Sequence, residues 1–235
     1  MRTELSRGMK DAIPICAGYL AVGFTFGMAA VSGGITVGGA TLISFTNLTS
    51  AGQFAGLTVI AAAAPYIEMA LTQLIINLRY ALMSLSLSQK LESSVTRPQR
   101  CIIAFGITDE AFALVSTKEG KVGRHYIYGV MCVCIASWTC GSFFGAAASS
   151  ALPAVVSSAL GIAIYGMFLA IIIPPAKKES SITAVIAIAV ALSSALYWIP
   201  GLREISPGFA IIICTVAASA AGAVIHPVKE EELYS

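Results

Sequence analysis

Charged side chains are scarce in this sequence. Asp, Glu, Lys and Arg make up 11% of its 235 residues, whereas a soluble domain carries about 25%. So few charges cannot cover a water-facing surface, and the mean hydropathy of +0.84 agrees with this. The net charge of only +2 also gives no basis for nucleic-acid binding. The chain is therefore predicted to be an integral membrane protein.

The sequence also lacks the short alternating segments that build a membrane β-barrel. Its apolar runs are long and continuous, and a helix of about 20 such residues crosses a bilayer. The predicted fold is an all-α membrane protein with about six full transmembrane helices and one or two broken or re-entrant segments. The six full runs are Ala12 to Val31, Tyr66 to Leu87, Arg124 to Ala148, Pro153 to Ile173, Ser181 to Ile199 and Ser206 to Ile225.

Histidine is rare, and the cysteines have no ligand pattern. The two histidines, His125 and His226, stand at the edges of apolar runs, and the six cysteines lie in or beside such runs. Cysteine in that setting behaves as a small hydrophobic residue. No His–Glu cluster, Ser–His pair or phosphate-binding loop occurs within the runs, so we predict no metal, no cofactor and no enzymatic activity. The cysteines are Cys16, Cys101, Cys132, Cys134, Cys140 and Cys214.

Basic residues orient the chain in the membrane. Arg2, Arg7 and Lys10 lie in segment 1–11, directly before the first apolar run. Because Lys and Arg accumulate on the cytoplasmic side, segment 1–11 is predicted to be cytoplasmic. The acidic tail 227–235 is placed on the same side, and residues 1–235 are predicted to form one transmembrane transporter domain in the cell membrane.

The segment 41–63 is apolar but interrupted. It carries Asn47, Thr49, Ser50 and Gln53, and Ser50 followed by Gln53 matches a capping box that starts a new helix. We therefore predict that one helix ends and another begins here within the membrane. Transporters use such broken helices to direct backbone dipoles at a substrate.

Polar residues also lie on the run Tyr66 to Leu87. At 100° per residue Glu68, Thr72 and Arg79 fall within about 40° of one another, whereas Gln73 and Asn77 share a different side. Glu68 and Arg79 are interpreted either as functional groups or as anchors that extend to opposite membrane faces.

A second interruption lies in segment 102–117. Thr108 can cap a helix that begins at Asp109, and the acids Asp109 and Glu110 then suit the positive end of that helix. This pattern fits either a carboxylate site in the membrane or an ordinary helix start at its surface.

Two topologies remain open. Segments 41–63 and 102–117 either cross the membrane or return to their own side as hairpins. Hairpins place more of the 14 Lys and Arg residues in the cytoplasm, which favours them. The two interruptions also resemble each other, since both run hydroxyl, polar, Phe-Ala, and this fits an inverted repeat with a central site.

Glycines on two runs are predicted to allow close helix packing. Gly23 and Gly27 form one small-xxx-small pair, and Gly141 and Gly145 form another.

Several motifs together resemble the AzlC family. They are QFAG from Gln53 to Gly56, TxxxxNxR from Thr72 to Arg79, TDExFAL from Thr108 to Leu114, and the opening PxxxGxxxxGxxxG from Pro14 to Gly27. The resemblance covers roughly residues 8–225. Where the family has an FAG-type sequence before its Gln, this chain has Leu48 to Gly52. The resemblance implies the large subunit of a branched-chain amino acid exporter, with a small AzlD-type partner subunit.

A transport mechanism follows as a hypothesis. Backbone N–H groups near Ser50 to Gln53 would bind the substrate carboxylate, and Asp109 or Glu110 would bind the ammonium group or a coupling proton. A channel and a non-catalytic structural membrane subunit are the alternatives, and a homo-oligomer is left open. The predicted substrate-binding residues are Asn47, Thr49, Ser50, Gln53, Thr72, Gln73, Asn77, Thr108, Asp109 and Glu110, and the predicted packing or structural residues are Gly23, Gly27, Arg79, Gly141 and Gly145.

Overall fold

The chain is almost entirely helical. A computed structural model describes residues 2–149, 151, 169, 172–174 and 176–225. It is 82% helical, and the described residues contain no strand, which confirms the predicted all-α membrane class. In order, the helices are α1 (Arg2–Asp11), α2 (Ile13–Ser32), α3 (Val37–Thr46), α4 (Ser50–Ala61), α5 (Tyr66–Lys90), α6 (Arg97–Phe105), α7 (Asp109–Ser116), α8 (Arg124–Ala148), α9 (Ser180–Trp198) and α10 (Pro207–Ile225), with a 3₁₀ turn at Leu202–Glu204 before the last.

Five of the described helices are long and apolar enough to cross a membrane. They are α2, α5, α8, α9 and α10, and they correspond to five of the six predicted runs. The sixth run, Pro153 to Ile173, falls almost entirely outside the described residues, as does the predicted tail 227–235.

The first predicted interruption is present, but the helix before it begins earlier in the chain than the predicted segment 41–63. The hydroxyl of Thr36 accepts a hydrogen bond from the N–H of Gly39 at 3.1 Å, so that α3 starts before residue 41. The helix then ends at Thr46, where the backbone of Asn47 becomes extended. Thr49, and not Ser50, caps α4, because its hydroxyl accepts from the N–H of Gly52 at 3.3 Å. The capping box predicted between Ser50 and Gln53 is therefore wrong.

The second interruption lies between α6 and α7. Thr108 caps α7 as predicted, since its hydroxyl accepts a hydrogen bond from the N–H of Ala111 at 3.2 Å. The preceding helix α6 already begins at Arg97, before the segment 102–117, because the side chain of Gln99 accepts from the N–H of Thr96 at 3.0 Å. Each half of the segment is a short helix in its own right.

The described chain divides into two compact units. The first contains the chain up to Phe54 and the described residues from Asn77 to 151, and the second contains Ala55–Ile76 and the described residues from 169 onward. In the first unit α2 and α1 pack along α8. Its apolar core surrounds the middle of α8, where Val130, Cys134 and Trp138 are buried.

Glycines bring α2 and α8 into backbone contact. A methyl group on Gly23 would lie 2.6 Å from the carbonyl oxygen of Trp138, and one on Gly141 would lie 2.6 Å from that of Leu20. One turn further on, Gly27 and Gly145 are closer still to the opposite backbone. Both small-xxx-small pairs thus lie in one interface, with each pair against the partner helix.

In the second unit α9 packs against α10. Gly222 of α10 faces the side chain of Val185 on α9. The end of α4 and the start of α5 belong to the same unit, where Gly56 lies against Gln73 and Met69.

Candidate functional site

A group of polar side chains surrounds the start of α7 in the first unit. The hydroxyl of Tyr19, on α2, lies 2.6 Å from Thr108 Oγ1 and 2.5 Å from Glu110 Oε2. A tyrosine inside an apolar helix needs such a partner for its O–H group. Tyr19 therefore fixes both the residue that caps α7 and an acid of its first turn.

An ion pair lies beside this contact. Arg79 Nη1, on α5, is 2.9 Å from both carboxylate oxygens of Asp109. The Arg79 and Asp109 side chains keep exposed fractions of 41% and 39%. Both members of the ion pair are therefore only partly covered by the rest of the chain.

Tyr80 connects this pair with the other interruption. Its hydroxyl interacts with the side chain of Thr49, and it also lies 3.4 Å from Arg79 Nη2. Contacts thus run from the residue that caps α4 to the residue that caps α7. We call this group the cap cluster, and its members are Tyr19, Thr49, Arg79, Tyr80, Thr108, Asp109 and Glu110.

Gln53 has a different environment from the cap cluster. Its exposed fraction is 3%, and its Oε1 atom accepts a hydrogen bond from Trp138 Nε1 at 2.8 Å. Its Nε2 atom donates to Ser44 Oγ at 3.0 Å, and Ser44 in turn donates to Ser142 Oγ at 2.6 Å. Both ends of the amide are therefore used in joining α3, α4 and α8.

The remaining predicted site residues lie in several places. Asn47 is half-buried in the first interruption, and Ser50 is the first residue of α4. Asn77 is half-buried on α5 within the first unit, whereas Thr72 and Gln73 belong to the second unit. Of the ten predicted binding residues, four are members of the cap cluster, namely Thr49, Thr108, Asp109 and Glu110.

Glu68 does not extend to a membrane surface as an anchor would. Glu68 has an exposed fraction of 1%, and its Oε1 atom accepts a hydrogen bond from the N–H of Gly208 at 2.8 Å. Arg79 pairs with Asp109 instead of extending away from the protein. The anchor interpretation is therefore wrong for Glu68, and for Arg79 it stays a prediction.

Two tyrosines are functional candidates that the sequence did not indicate. Tyr19 and Tyr80 connect the acids and the capping residues. A polar-tipped aromatic residue in an apolar run is the signal that could have suggested them. Metal binding has no support in the described part of the chain, which contains no group of three His, Cys, Asp or Glu that could hold an ion.

Comparison with known proteins identifies the family. The family model described as AzlC protein matches residues 14–152, a range that contains the whole cap cluster. The chain belongs to the AzlC family. No solved structure matches it.

Relatives of this AzlC-family chain occur in distant organisms. The inner membrane protein YgaZ of Escherichia coli K12 is 28% identical over 202 residues, which cover 82% of each chain. An uncharacterized membrane protein of Archaeoglobus fulgidus is 32% identical over 189 residues, or 80% of this chain and 83% of the relative. An uncharacterized membrane protein of Helicobacter pylori 26695 is 30% identical over 154 residues, which cover 63% of this chain and 67% of the relative. All are named as membrane proteins, in agreement with the apolar helices of this AzlC-family chain.

Proposed function

We propose that the chain is a secondary transporter that exports branched-chain or related apolar amino acids across the cytoplasmic membrane. The cap cluster is the observation that carries this proposal. Two interrupted helices contribute the residues that cap their second halves, and a half-open ion pair lies between them. Broken helices around a charged site are typical of transporters.

The ion pair has the right charges for an amino acid zwitterion. The substrate carboxylate would replace Asp109 on the guanidinium of Arg79, and the substrate ammonium would replace Arg79 on the carboxylate of Asp109. A guanidinium offers paired donors that match a carboxylate. The N–H groups of Gly52 and Gln53 already bond to Thr49, so Arg79 is the better carboxylate partner at this end of α4.

Glu110 and Tyr19 complete the polar side of the proposed site. The Glu110 side chain is exposed apart from its contact with the Tyr19 hydroxyl. It would bind the ammonium group together with Asp109. Apolar side chains of the surrounding helices would accept the aliphatic part of the substrate.

Efflux of labelled leucine from loaded vesicles that contain this chain together with the small AzlD-type subunit tests this proposal. Asp109→Asn and Arg79→Gln should each raise the KM for leucine by about ten- to hundredfold, because each removes a charge-assisted hydrogen bond. Glu119→Gln, which changes an exposed acid in the loop after α7, is the matched control and should leave KM unchanged. Normal efflux in both site variants would refute the proposed site.

The same vesicles distinguish a carrier from a channel. A carrier saturates with leucine and exchanges labelled for unlabelled substrate, whereas a channel conducts ions faster and does not saturate. A structural subunit would give no leucine flux by itself, and Asp109→Asn and Arg79→Gln would leave the flux of its complex with the partner unchanged.

We also propose a small AzlD-type partner subunit, on the ground of the family resemblance. Helix α9 packs against α10 but has no fully buried residue, and we propose that its exposed side contacts the small subunit. Export from cells that contain this chain alone, the small subunit alone or both would test the pairing. Full export by this chain alone would refute it.

Both ends of the chain are proposed to lie in the cytoplasm. Basic residues near the N-terminus support this orientation. Labelling of Ser93→Cys from outside intact cells, in a background without exposed cysteines, distinguishes full spans from hairpins at the two interruptions.

A further inference from the structure

Glu68 is a buried acid that the proposed substrate site does not use. It lies in the first turn of α5, within the second unit, and its exposed fraction is 1%. Among the described residues it forms no ion pair. Burial of a carboxylate without a counter-charge is costly, so its neighbours must stabilise it or it must be neutralised.

The backbone of α10 provides one of these neighbours. The N–H of Gly208 donates to Glu68 Oε1 at 2.8 Å. Gly208 is the second residue of α10, so its N–H is one of the helix donors that lack a partner within the helix. The Ser206 side chain, directly before α10, has a buried hydroxyl with no partner in the described structure. Glu68 thus caps α10 from another helix.

Thr72 lies one turn further along α5 and faces the same point. Its exposed fraction is 0%, and its hydroxyl has no hydrogen-bond partner among the residues described. A methyl group on Gly208 would lie 2.5 Å from Glu68 Oε1 and 2.7 Å from Thr72 Oγ1. The two oxygens therefore border one small space, which exists because residue 208 has no side chain.

We propose that Glu68, Thr72 and the N-terminus of α10 form a proton-binding site separate from the cap cluster. The hydroxyl of Thr72 can donate to an ionised Glu68, or it can accept the O–H of a neutral Glu68. The Thr72 hydroxyl makes no hydrogen bond in the described structure, so that it can form this contact when Glu68 gains or loses a proton, and the Gly208 N–H keeps an oxygen acceptor in both states. The proton comes from water and binds to a carboxylate oxygen.

A metal cation fits this space less well. The positive end of α10 points at it and repels a cation, and hard cations such as Ca²⁺ take about six to eight oxygen ligands. The unpartnered oxygen at this space is the Thr72 hydroxyl.

Few charges surround Glu68. Helix α10 and residues 55–61 of α4 contain no charged residue, and the nearest charges along the chain before α10 are Arg203 and Glu204. Arg203 lies over the ring of Tyr197, with its Cζ atom 5.5 Å from the ring centre. Arg203 and Glu204 are exposed, so that neither neutralises Glu68 as a buried partner would.

Protonation of Glu68 would weaken its hold on α10. A hydrogen bond to a charged acceptor is roughly twice as strong as one between neutral groups. Neutral Glu68 therefore holds the N-terminus of α10 less tightly. Provided the proposed export function is right, this contact gives the transporter a place where a proton changes helix packing.

Infrared difference spectroscopy between about pH 4 and pH 9 tests the site directly, with the purified chain in lipid vesicles and without substrate. The spectrum should contain a protonated-carboxyl band that disappears in Glu68→Gln and shifts in Thr72→Val. The band should persist in Glu204→Gln, the control at an exposed acid. The Gln side chain can still accept from Gly208, so this variant retains the cap.

A band that survives in Glu68→Gln would overturn the proposal, and so would a Glu68 band that added Na⁺ removes at constant pH. Leucine efflux separates this outcome from the failure of the export function. If wild-type vesicles that also contain the small AzlD-type subunit transport no leucine while the Glu68 band titrates, the proton site stands and the export function fails. If the proton site and the export function are both right, the Glu68→Gln variant should export leucine independently of a pH gradient.

Discussion

Trp138 Nε1 donates a hydrogen bond to Gln53 Oε1 at 2.8 Å. This contact joins the first turn of α4 to the middle of α8, and the second end of the Gln53 amide reaches Ser44 on α3. The start of α4 is therefore positioned by hydrogen bonds in the protein interior.

Gln53→Met should destabilise the protein, because it leaves the Trp138 N–H without an acceptor while preserving the side-chain volume. The expected loss is about 1–3 kcal/mol, measured as a lower midpoint of thermal unfolding in detergent. Trp138→Phe should cost less in the Gln53→Met background than in the wild type. Gln89→Met, at an exposed position, is the control. An unfolding midpoint equal to that of the wild type would contradict this interpretation of Gln53.

The glycine interface gives a second prediction. Gly27→Ala and Gly145→Ala place a methyl group against the backbone of the opposite helix, and such overpacking costs about 1–3 kcal/mol or more. Gly18→Ala and Gly38→Ala meet no atom within 4 Å, so they should be neutral or slightly stabilising. Thermal unfolding of the four variants checks this difference. Equal effects at all four positions would show that close packing is not the cause.

Thr108 gives a third prediction, which separates capping from other roles. Thr108→Val removes the hydroxyl that accepts from the N–H of Ala111, at an expected cost of about 0.5–2 kcal/mol. Thr108→Ser keeps that hydroxyl and should retain most of the stability. Tyr19→Phe should leave the cap intact but loosen Glu110. A Thr108→Ser variant as unstable as Thr108→Val would refute the capping role.

Asp11 and Lys118 give a prediction about pH. Hydrogen bonds from Lys118 and then Tyr126 lower the pKa of Asp11, and the same contact with Asp11 raises the pKa of Lys118. Because its pKa is lower in the folded protein, Asp11 takes up a proton at a higher pH in the unfolded chain than in the folded protein. Its contribution to stability is therefore complete above the unfolded pKa of about 3.9 and disappears on acidification below that value.

Unfolding midpoints of the wild type and Asp11→Asn check this prediction. The difference between the two should be constant from about pH 5 to about pH 9 and should narrow below about pH 4. Above about pH 10 it should narrow again, as Lys118 loses its proton. Glu119→Gln serves as the control, since Glu119 forms no ion pair within the described residues. A difference that grows on acidification would be inconsistent with the Asp11 contact.

Periodicity and capping chemistry predicted most of the helices. The bounds of α8 follow from Arg124 at one end and the small polar residues after Ala148 at the other. Thr108 was recognised as a cap because a cap depends on residues three positions apart. The predicted cap of α4, Ser50, is one residue away from the observed cap, Thr49. Both residue types are good caps, and the extended backbone that starts at Asn47 selects Thr49.

Contacts between distant residues could not be predicted in this way. A helical wheel places Glu68 and Thr72 on one side of α5, but it contains no information about Gly208, 140 positions away. Tyr19 and Thr108 are likewise separated by 89 positions. Local sequence therefore indicated which polar residues were unusual, whereas tertiary structure determined their partners.

The glycine interface between α2 and α8 has a mechanical consequence. A displacement of α2 by one turn would put Tyr19 or Val31 where Gly23 or Gly27 now lies, and their side chains would collide with the opposite carbonyl groups. The two helices therefore cannot slide past each other and form a rigid frame. We therefore expect any rearrangement of the first unit to occur in other places, such as the short non-helical segments before α4 and α7.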